Sequence, residues 1–226
     1  MGRVRLSGEV LEMRIDAITV CVDYAKYLKM TISNKVIFDS WTIVTVDRDK
    51  ETQQLCRDNN LPYVISDRLY ADGAPFAKAR AINDALSVVS PTDWVALVDA
   101  DIYLYPEAFK AIRETVRFNP DCLYALNGRV LVDDYDHLLA TIQRNDIKRS
   151  ELIHADLLAG FFHMWHSSIR EFYPEEGLTA GLDDIIMRDS FSVENLKVLP
   201  TFGVHIGEMW VNHTGVSPQF PKLLKE

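Results

Sequence analysis

Residues Asp93 to Tyr103 read D-W-V-A-L-V-D-A-D-I-Y. Trp94 to Val98 is an unbroken apolar run of strand length, and a run without alternation belongs to a strand buried on both faces. It stops abruptly at two carboxylates, Asp99 and Asp101, with Ala100 between them. Successive side chains of a strand point to opposite faces, so an extended backbone sets Asp99 and Asp101 on one side and turns Ala100 away. Two carboxylates that close repel unless something positive lies between them, and their oxygens can share a divalent cation or its water shell. Asp is also common where a strand simply enters a turn, so the pair takes its meaning from the rest of the chain.

Working outward toward the N-terminus, the pattern alternates. Ile15 to Val22 is a first strand closing on Asp23 and Tyr24, and Tyr24 to Ile32 carries apolar residues at helical spacing. Trp41 to Val46 is rich in β-branched residues and ends on Asp47; Asp49 to Cys56 then reads as a helix. Leu61 to Ser66 is a third strand, and Gly73 and Pro75 punctuate the loop Asp67 to Pro75. In the helix expected over Phe76 to Val89, Ala81, Ile82, Ala85, Leu86 and Val89 share one face. Lys78 extends that face at the N-terminal end, where the helix dipole favours anions.

Repeated β-α units predict a mostly parallel sheet with helices on both faces, and such sheets bind ligands beyond the carboxyl ends of their strands. Asp23, Asp47 and the Asp99/Asp101 pair all fall there, with Lys78 and Arg80 as positive charge for phosphate. A nucleoside diphosphate bridged by a cation fits this set. A dinucleotide oxidoreductase does not, because no G-x-G-x-x-G follows the first strand.

Composition agrees. The 226 residues, 48% hydrophobic and 25% charged, suit one large domain, and no Pro-, Gly- or Ser-rich linker divides them. A net charge of -9 argues against a general nucleic-acid binder. Cys21, Cys56 and Cys122 are odd in number and widely spaced, as expected of reduced thiols in a cytoplasmic protein. The N-terminus lacks the apolar region of a signal peptide, and no apolar run reaches membrane-spanning length.

The first strand ending near Asp23, V-T-V-D-R-D-K-E-T at Val44 to Thr52, A-K-A-R-A-I-N at Ala77 to Asn83 and L-V-D-A-D at Leu97 to Asp101 together resemble a GT-A fold glycosyltransferase of the family 2 type. The resemblance spans roughly residues 15 to 215 and implies a Rossmann-like α/β/α sandwich. It implies a UDP- or GDP-sugar donor with Asp23, Tyr24 and Asp47 near the base and ribose. Lys78, Arg80, Asp99 and Ala100 would lie along the rest of the nucleotide-sugar, and Asp99 and Asp101 would form the DxD that holds Mn²⁺ or Mg²⁺. Arg48 and Asp49 depart from the small and polar turn residues usual after the second strand. Residues 1–14 read as an extension, 15–105 as the nucleotide-sugar half, 106–215 as the acceptor half and 216–226 as a loose tail.

In the second half, Pro106 is suited to open a helix that continues through Glu107 to Val116, and Cys122 to Leu131 reads as a strand interrupted at Asn127 and Gly128. Leu157 to Trp165 is apolar and aromatic; its Gly160 signals a bend or a close backbone approach, and Phe161, Phe162 and Met164 suit either a core or an acceptor pocket. His163 and His166 read as histidines satisfied within the fold. Gly181 to Asp184 starts a helix, where Asp183 could be a cap. An inverting transfer needs a carboxylate to take the acceptor's hydroxyl proton, and the resemblance gives that role to Asp184, with Asp183 orienting the glycan or other hydroxyl acceptor. It also makes His205, a lone imidazole in the short strand Phe202 to Ile206, a third metal ligand, with Trp210 and Asn212 in a closing flap and His213 a weaker ligand. Two other readings remain: a haloacid-dehalogenase-like phosphatase using Asp183, Asp184 and Asp189, and a nucleotide- or sugar-binding module without turnover.

Overall fold

The alternating apolar pattern of the first hundred residues builds a sheet in the computed structural model, which describes residues 13–114, 119–132, 136, 138–140, 152–154 and 160–207. Strands β1 (Ile15–Val20), β2 (Ser40–Thr45), β3 (Tyr63–Ile65) and β4 (Trp94–Val98) are linked through helices α1 (Ala25–Thr31), α2 (Lys50–Asp58) and α3 (Lys78–Val89). After a two-residue strand β5 (Ile102–Tyr103) come α4 (Pro106–Glu114), β6 (Leu123–Leu126), β7 (Gly128–Val132), β8 (Leu152–His154), β9 (Phe162–His166), α5 (Ala180–Asp189), β10 (Leu196–Leu199) and β11 (Gly203–Ile206).

Seven strands form the central sheet in the order β10-β6-β9-β4-β1-β2-β3. All neighbours are parallel except β9, which runs antiparallel to both β4 and β6. Side-chain alternation splits the core in two. Ile15 and Ala17 of β1, Trp41 and Ile43 of β2, and Trp94, Ala96 and Val98 of β4 pack with Leu28, Cys56, Ala108 and Ile112 of α1, α2 and α4. Ile18, Val44, Val95 and Leu97 face the other way, onto Ala81, Ile82, Ala85 and Leu86 of α3 and Met187 of α5. This is the α/β/α sandwich of the GT-A type, with β4 buried on both faces. The three cysteines are buried and unbridged.

A second sheet, β5-β11-β7-β8, stands beside the first. The chain crosses between sheets at Asn127, whose N–H donates to Thr201 O at 2.8 Å, so the interruption expected there separates two strands of different sheets. The other junction is the acidic one. Strand β4 ends at Val98, and the Ile102 N–H donates to Asp99 O at 3.2 Å, closing a turn over Asp99 to Asp101. The two carboxylates therefore leave a corner between the sheets, and strand alternation does not describe their directions as the sequence reading supposed.

Several boundaries differ from the pattern. Phe76 and Ala77 precede α3, because Lys78 is its first helical residue. Strand β9 begins only at Phe162; Phe161, Phe162 and Met164 are all core, since both faces of β9 are covered in the middle of the sheet. His163 is buried with its Nδ1 3.2 Å from the Tyr173 hydroxyl, and His166 Nε2 lies 3.0 Å from Asp93. Residues 1–12, the end of the Glu107 to Val116 helix, Leu157 to Ala159, Trp210, Asn212, His213 and the tail 216–226 lie outside the described residues. No helix among the described residues is long and apolar enough to cross a membrane.

Candidate active site

Lys78 is the hub of a polar cluster at the carboxyl end of β4. The apolar face of α3 draws its stem into the core, leaving the side chain 4% exposed, and its Nζ donates to Asp99 Oδ1 at 2.9 Å, to Asp184 Oδ1 and Oδ2 at 3.2 and 3.4 Å, and to Gly160 O at 3.4 Å. Burial alone would lower the pKa of this ammonium, but the charges of Asp184 and Asp99 overrule it and hold the pKa above the ordinary lysine value. One cation thus joins the first carboxylate of the D-x-D turn to Asp184 of α5.

Asp184 lies flat against Gly160: a Cβ added to that glycine would fall 1.8 Å from Asp184 Cγ and 2.0 Å from Oδ2. The close approach signalled by Gly160 is therefore to the Asp184 carboxylate. The Tyr173 hydroxyl donates to Asp184 Oδ1 at 3.1 Å. Burial pushes the Asp184 carboxyl up to about 7, against the pull of Lys78 and the Tyr173 hydroxyl and with the push of Asp99. A carboxyl poised there is suited to proton transfer near neutral pH.

Asp183 does something else. Its Oδ2 accepts the Ala79 N–H at 2.9 Å, so it caps α3, while α5 is capped by Thr179, whose Oγ1 accepts the Leu182 N–H at 3.4 Å. The anion that the dipole of α3 attracts is thus the protein's own. The Asp183 Oδ1, buried with no hydrogen-bond partner among the described residues, occupies the space that a Cβ on Gly177 would need, 1.9 Å away. Burial lifts this carboxyl to about 6, opposed by the Ala79 N–H and by the charges of Lys78 and Arg80.

Asp101 and His205 meet across the corner between the sheets. Strand β11 places His205 opposite Ile102, the Ile206 N–H donates to Asp101 O at 2.9 Å, and His205 Nε2 lies 3.2 Å from Asp101 Oδ2. Both side chains are buried, yet neither imidazole nitrogen is in hydrogen-bond geometry with any described atom. A buried imidazole with no hydrogen bond among the described residues, beside a carboxylate, fits a divalent cation. Among the described residues no three His, Cys, Asp or Glu side chains gather at one point, so a cation here would draw further ligands from a bound phosphate and water.

The remaining predicted positions divide. Asp23 has a left-handed backbone (φ 54°), held by its own N–H donating to the buried Asp49 at 2.7 Å, and its carboxylate takes Arg48 at 2.9 Å. The Arg48 guanidinium lies 5.1 Å from the centre of the Tyr70 ring, and Tyr24 stacks on Tyr27 at 4.3 Å. Asp47 is 85% exposed and pairs with Lys50; Arg80 pins the loop after β3 through Ala71 O and Asp72, each at 3.1 Å. Neither side chain bonds to the cluster around Lys78. Ala100 is buried beneath the turn.

Two residues escaped the sequence reading. Tyr173 sits in a polar loop with no periodic signal. Arg129 did have one: it is the lone cation in the apolar strand β7, its guanidinium 5.2 Å from the Phe161 ring. Burial lowers its pKa, while the charges of Asp99 and Asp101 act to raise it. Phe161 in turn accepts the Asp99 N–H on its carbonyl at 3.0 Å. Gly160 and Phe161 thus tie Lys78, Asp184, Asp99 and Arg129 to one point of the backbone.

No protein-family model matches the chain, and no curated protein matches it in sequence. Solved structures do. Glucosyl-3-phosphoglycerate synthase from Mycobacterium tuberculosis, in complex with Mn²⁺, UDP-glucose and phosphoglyceric acid, superposes with a TM-score of 0.55 at 12% identity, over 87% of this chain and 73% of that one. Its complex with Mn²⁺, UDP-glucose and glycerol 3-phosphate gives 0.55 at 11% identity over the same shares, 87% and 73%. A further mycobacterial protein gives 0.52 at 13% identity, covering 90% of this chain and 70% of that chain. At such identities the likeness is one of fold, and the fold it shares is the GT-A sandwich described above.

Proposed function

We propose that the protein is a glycosyltransferase that moves a sugar from a nucleoside-diphosphate sugar, UDP-sugar first among the candidates, to a hydroxyl of a small anionic acceptor. The observation that carries this reading is the joining of Asp99 and Asp184 through one buried ammonium, beside Asp101 and His205, at the carboxyl end of β4. Ligands of open α/β sheets bind at that place. The solved proteins of the same fold were captured with Mn²⁺, UDP-glucose and acceptors bearing phosphate or carboxylate.

Asp101 and His205 would hold Mn²⁺ or Mg²⁺, with Asp99 reaching it through the cation's water shell, and the bound cation would neutralise the donor diphosphate. Lys78 keeps Asp99 and Asp184 at a fixed separation and screens their repulsion. Asp184 takes the proton of the attacking acceptor hydroxyl, as a base in a displacement that inverts the anomeric carbon. Arg129, a desolvated guanidinium stacked on Phe161, attracts the acceptor's anionic group toward the same backbone point. Asp23 and Arg48, with Tyr70 behind them, line the nucleoside end.

A phosphatase of the haloacid dehalogenase type has no support here, because that family places its aspartate motif on the first strand and Asp99 follows the fourth. A binding module without turnover differs in one measurable respect, hydrolysis of the donor. Calorimetry of UDP with EDTA and with Mn²⁺ tests the cation bridge: binding should be weak in the first and clear in the second, and equal affinity in both would end that reading. Slow Mn²⁺-dependent release of glucose from UDP-glucose separates the transferase from the module. Proton NMR of the product reads the anomer, and retention would remove the base role from Asp184.

A further inference from the structure

Asp184 presents two unequal oxygens. Oδ1 accepts from the Tyr173 hydroxyl at 3.1 Å and from Lys78 at 3.2 Å, whereas Oδ2 has only Lys78, at 3.4 Å. Tyr173 itself has little freedom. The Asn83 carboxamide grips its backbone from both sides, Oδ1 accepting the Tyr173 N–H at 2.6 Å and Nδ2 donating to Tyr173 O at 2.8 Å. The same Nδ2 donates to Glu175 Oε1 at 2.7 Å, and Arg68 ties Glu175 down at 2.6 Å. The ring is buried, packed edge-on against Trp165, with centroids 5.8 Å apart. At its tip the hydroxyl has one hydrogen, which goes to Asp184, so the neighbouring His163 Nδ1 at 3.2 Å must carry the proton that it donates to the phenol oxygen.

We infer that Tyr173 is a positioning residue for Asp184: anchored by Asn83 and oriented by the Nδ1–H tautomer of His163, its hydroxyl occupies Oδ1 and leaves Oδ2 as the oxygen that receives a proton. Nothing in the loop sequence E-F-Y-P-E-E marks it, since the contact joins that loop to α5 only in the folded chain. The role rests on reading Asp184 as the proton acceptor, and it adds a requirement of its own, that the base be held on a side remote from the acceptor.

The test is Tyr173→Phe, which keeps the ring in its packing and removes only the hydroxyl. In protein labelled at the aspartate carboxyl carbons, with the Asp184 signal assigned by its loss in Asp184→Asn, the titration midpoint of Asp184 should rise by about one pH unit. The other charged or titratable groups facing it, Lys78 and Asp99 across the cleft and Asp183 and His163 around the ring, are unchanged by the substitution. A midpoint that stays put overturns the inference, whatever happens to the melting temperature. Mn²⁺-dependent hydrolysis of UDP-glucose provides the second reading: kcat should fall about tenfold with KM for UDP-glucose unchanged, and a risen KM with kcat intact would likewise overturn it. If the wild type shows no hydrolysis, the proposed function fails while the carboxyl titration still decides on Tyr173.

Discussion

Replacing Asp184 by Asn tests both the chemistry and the electrostatics of the site, and the two effects have opposite signs. Asn keeps the size of the side chain and an oxygen for the Tyr173 hydroxyl, but it cannot take a proton. Loss of a positioned general base costs about 10² or more in rate, so transfer should fall by at least that factor while UDP binding in Mn²⁺ persists. Stability should respond differently. Burial lifts the Asp184 carboxyl from 3.8 to about 7, a rise of about three pH units, which corresponds to a ceiling on the order of 4 kcal/mol. An acid whose folded pKa exceeds its unfolded one binds its proton more firmly in the folded protein, so the wild type loses stability as pH climbs from about 4 to about 7 and does not regain it above. Asp184→Asn lacks that term. Relative to the mutant, the wild type should therefore weaken steadily across this window, with Asp183, lifted to about 6, adding the same slope to both proteins. Melting curves of the pair from pH 4.5 to 8.5, with transfer assays at pH 7.5, provide the check. Near-normal turnover, or a stability difference that ignores pH, would refute the reasoning.

Gly160→Ala should cost about 1–3 kcal/mol and several degrees of melting temperature, since its Cβ would fall 1.8 Å from Asp184 Cγ; turnover should drop with it, and a fully stable, active variant would mean that Asp184 lies elsewhere. His205→Ala should weaken Mn²⁺-dependent UDP binding and leave melting nearly unchanged, whereas a falling melting temperature with unaltered Mn²⁺ titration would mark a structural histidine. Lys78→Met should destabilise by about 3 kcal/mol at pH 8 and by less at pH 5.5, where a protonated Asp184 no longer needs the cation. Equal losses at the two pH values would show that the pair is not what the ammonium serves.

Local signals carried the first four strands, the D-x-D junction, the break at Asn127 and the tight spot at Gly160, because each is written in neighbouring residues: an apolar run that stops at charge, a polar pair inside a strand, a glycine among bulky side chains. What they could not carry were partnerships across the chain. Asp183 reads as a cap for its own helix, yet the N–H that it accepts belongs to Ala79 of another. Lys78 reads as a phosphate ligand at a helix start, and here it holds two carboxylates brought to it from the turn after β4 and from α5. Tyr173 and Asn83 are a loop residue and a helix residue of no particular pattern until the fold sets them side by side. Strand alternation misled at Asp99 and Asp101 because it assumes an extended backbone, and the chain turns there to change sheets.

The antiparallel course of β9 bears on the order in which the chain can assemble. β4 and β6 are made first, but in the finished sheet neither pairs with the other; β9 fills the gap between them. Until Phe162 to His166 have been synthesised, β4, apolar on both faces, keeps one edge open, and such an edge invites pairing with other chains. A fragment cut near residue 105 would therefore be an unfinished sheet prone to aggregate, and not a smaller nucleotide-binding unit. Because Gly160 and Phe161 lead directly into β9, the step that seals the sheet also brings the Gly160 carbonyl to Lys78 and the Phe161 carbonyl to Asp99. Closure of the core and completion of the cluster around Lys78 are then one folding event, which leaves little room for an intermediate that has the architecture but lacks the candidate site.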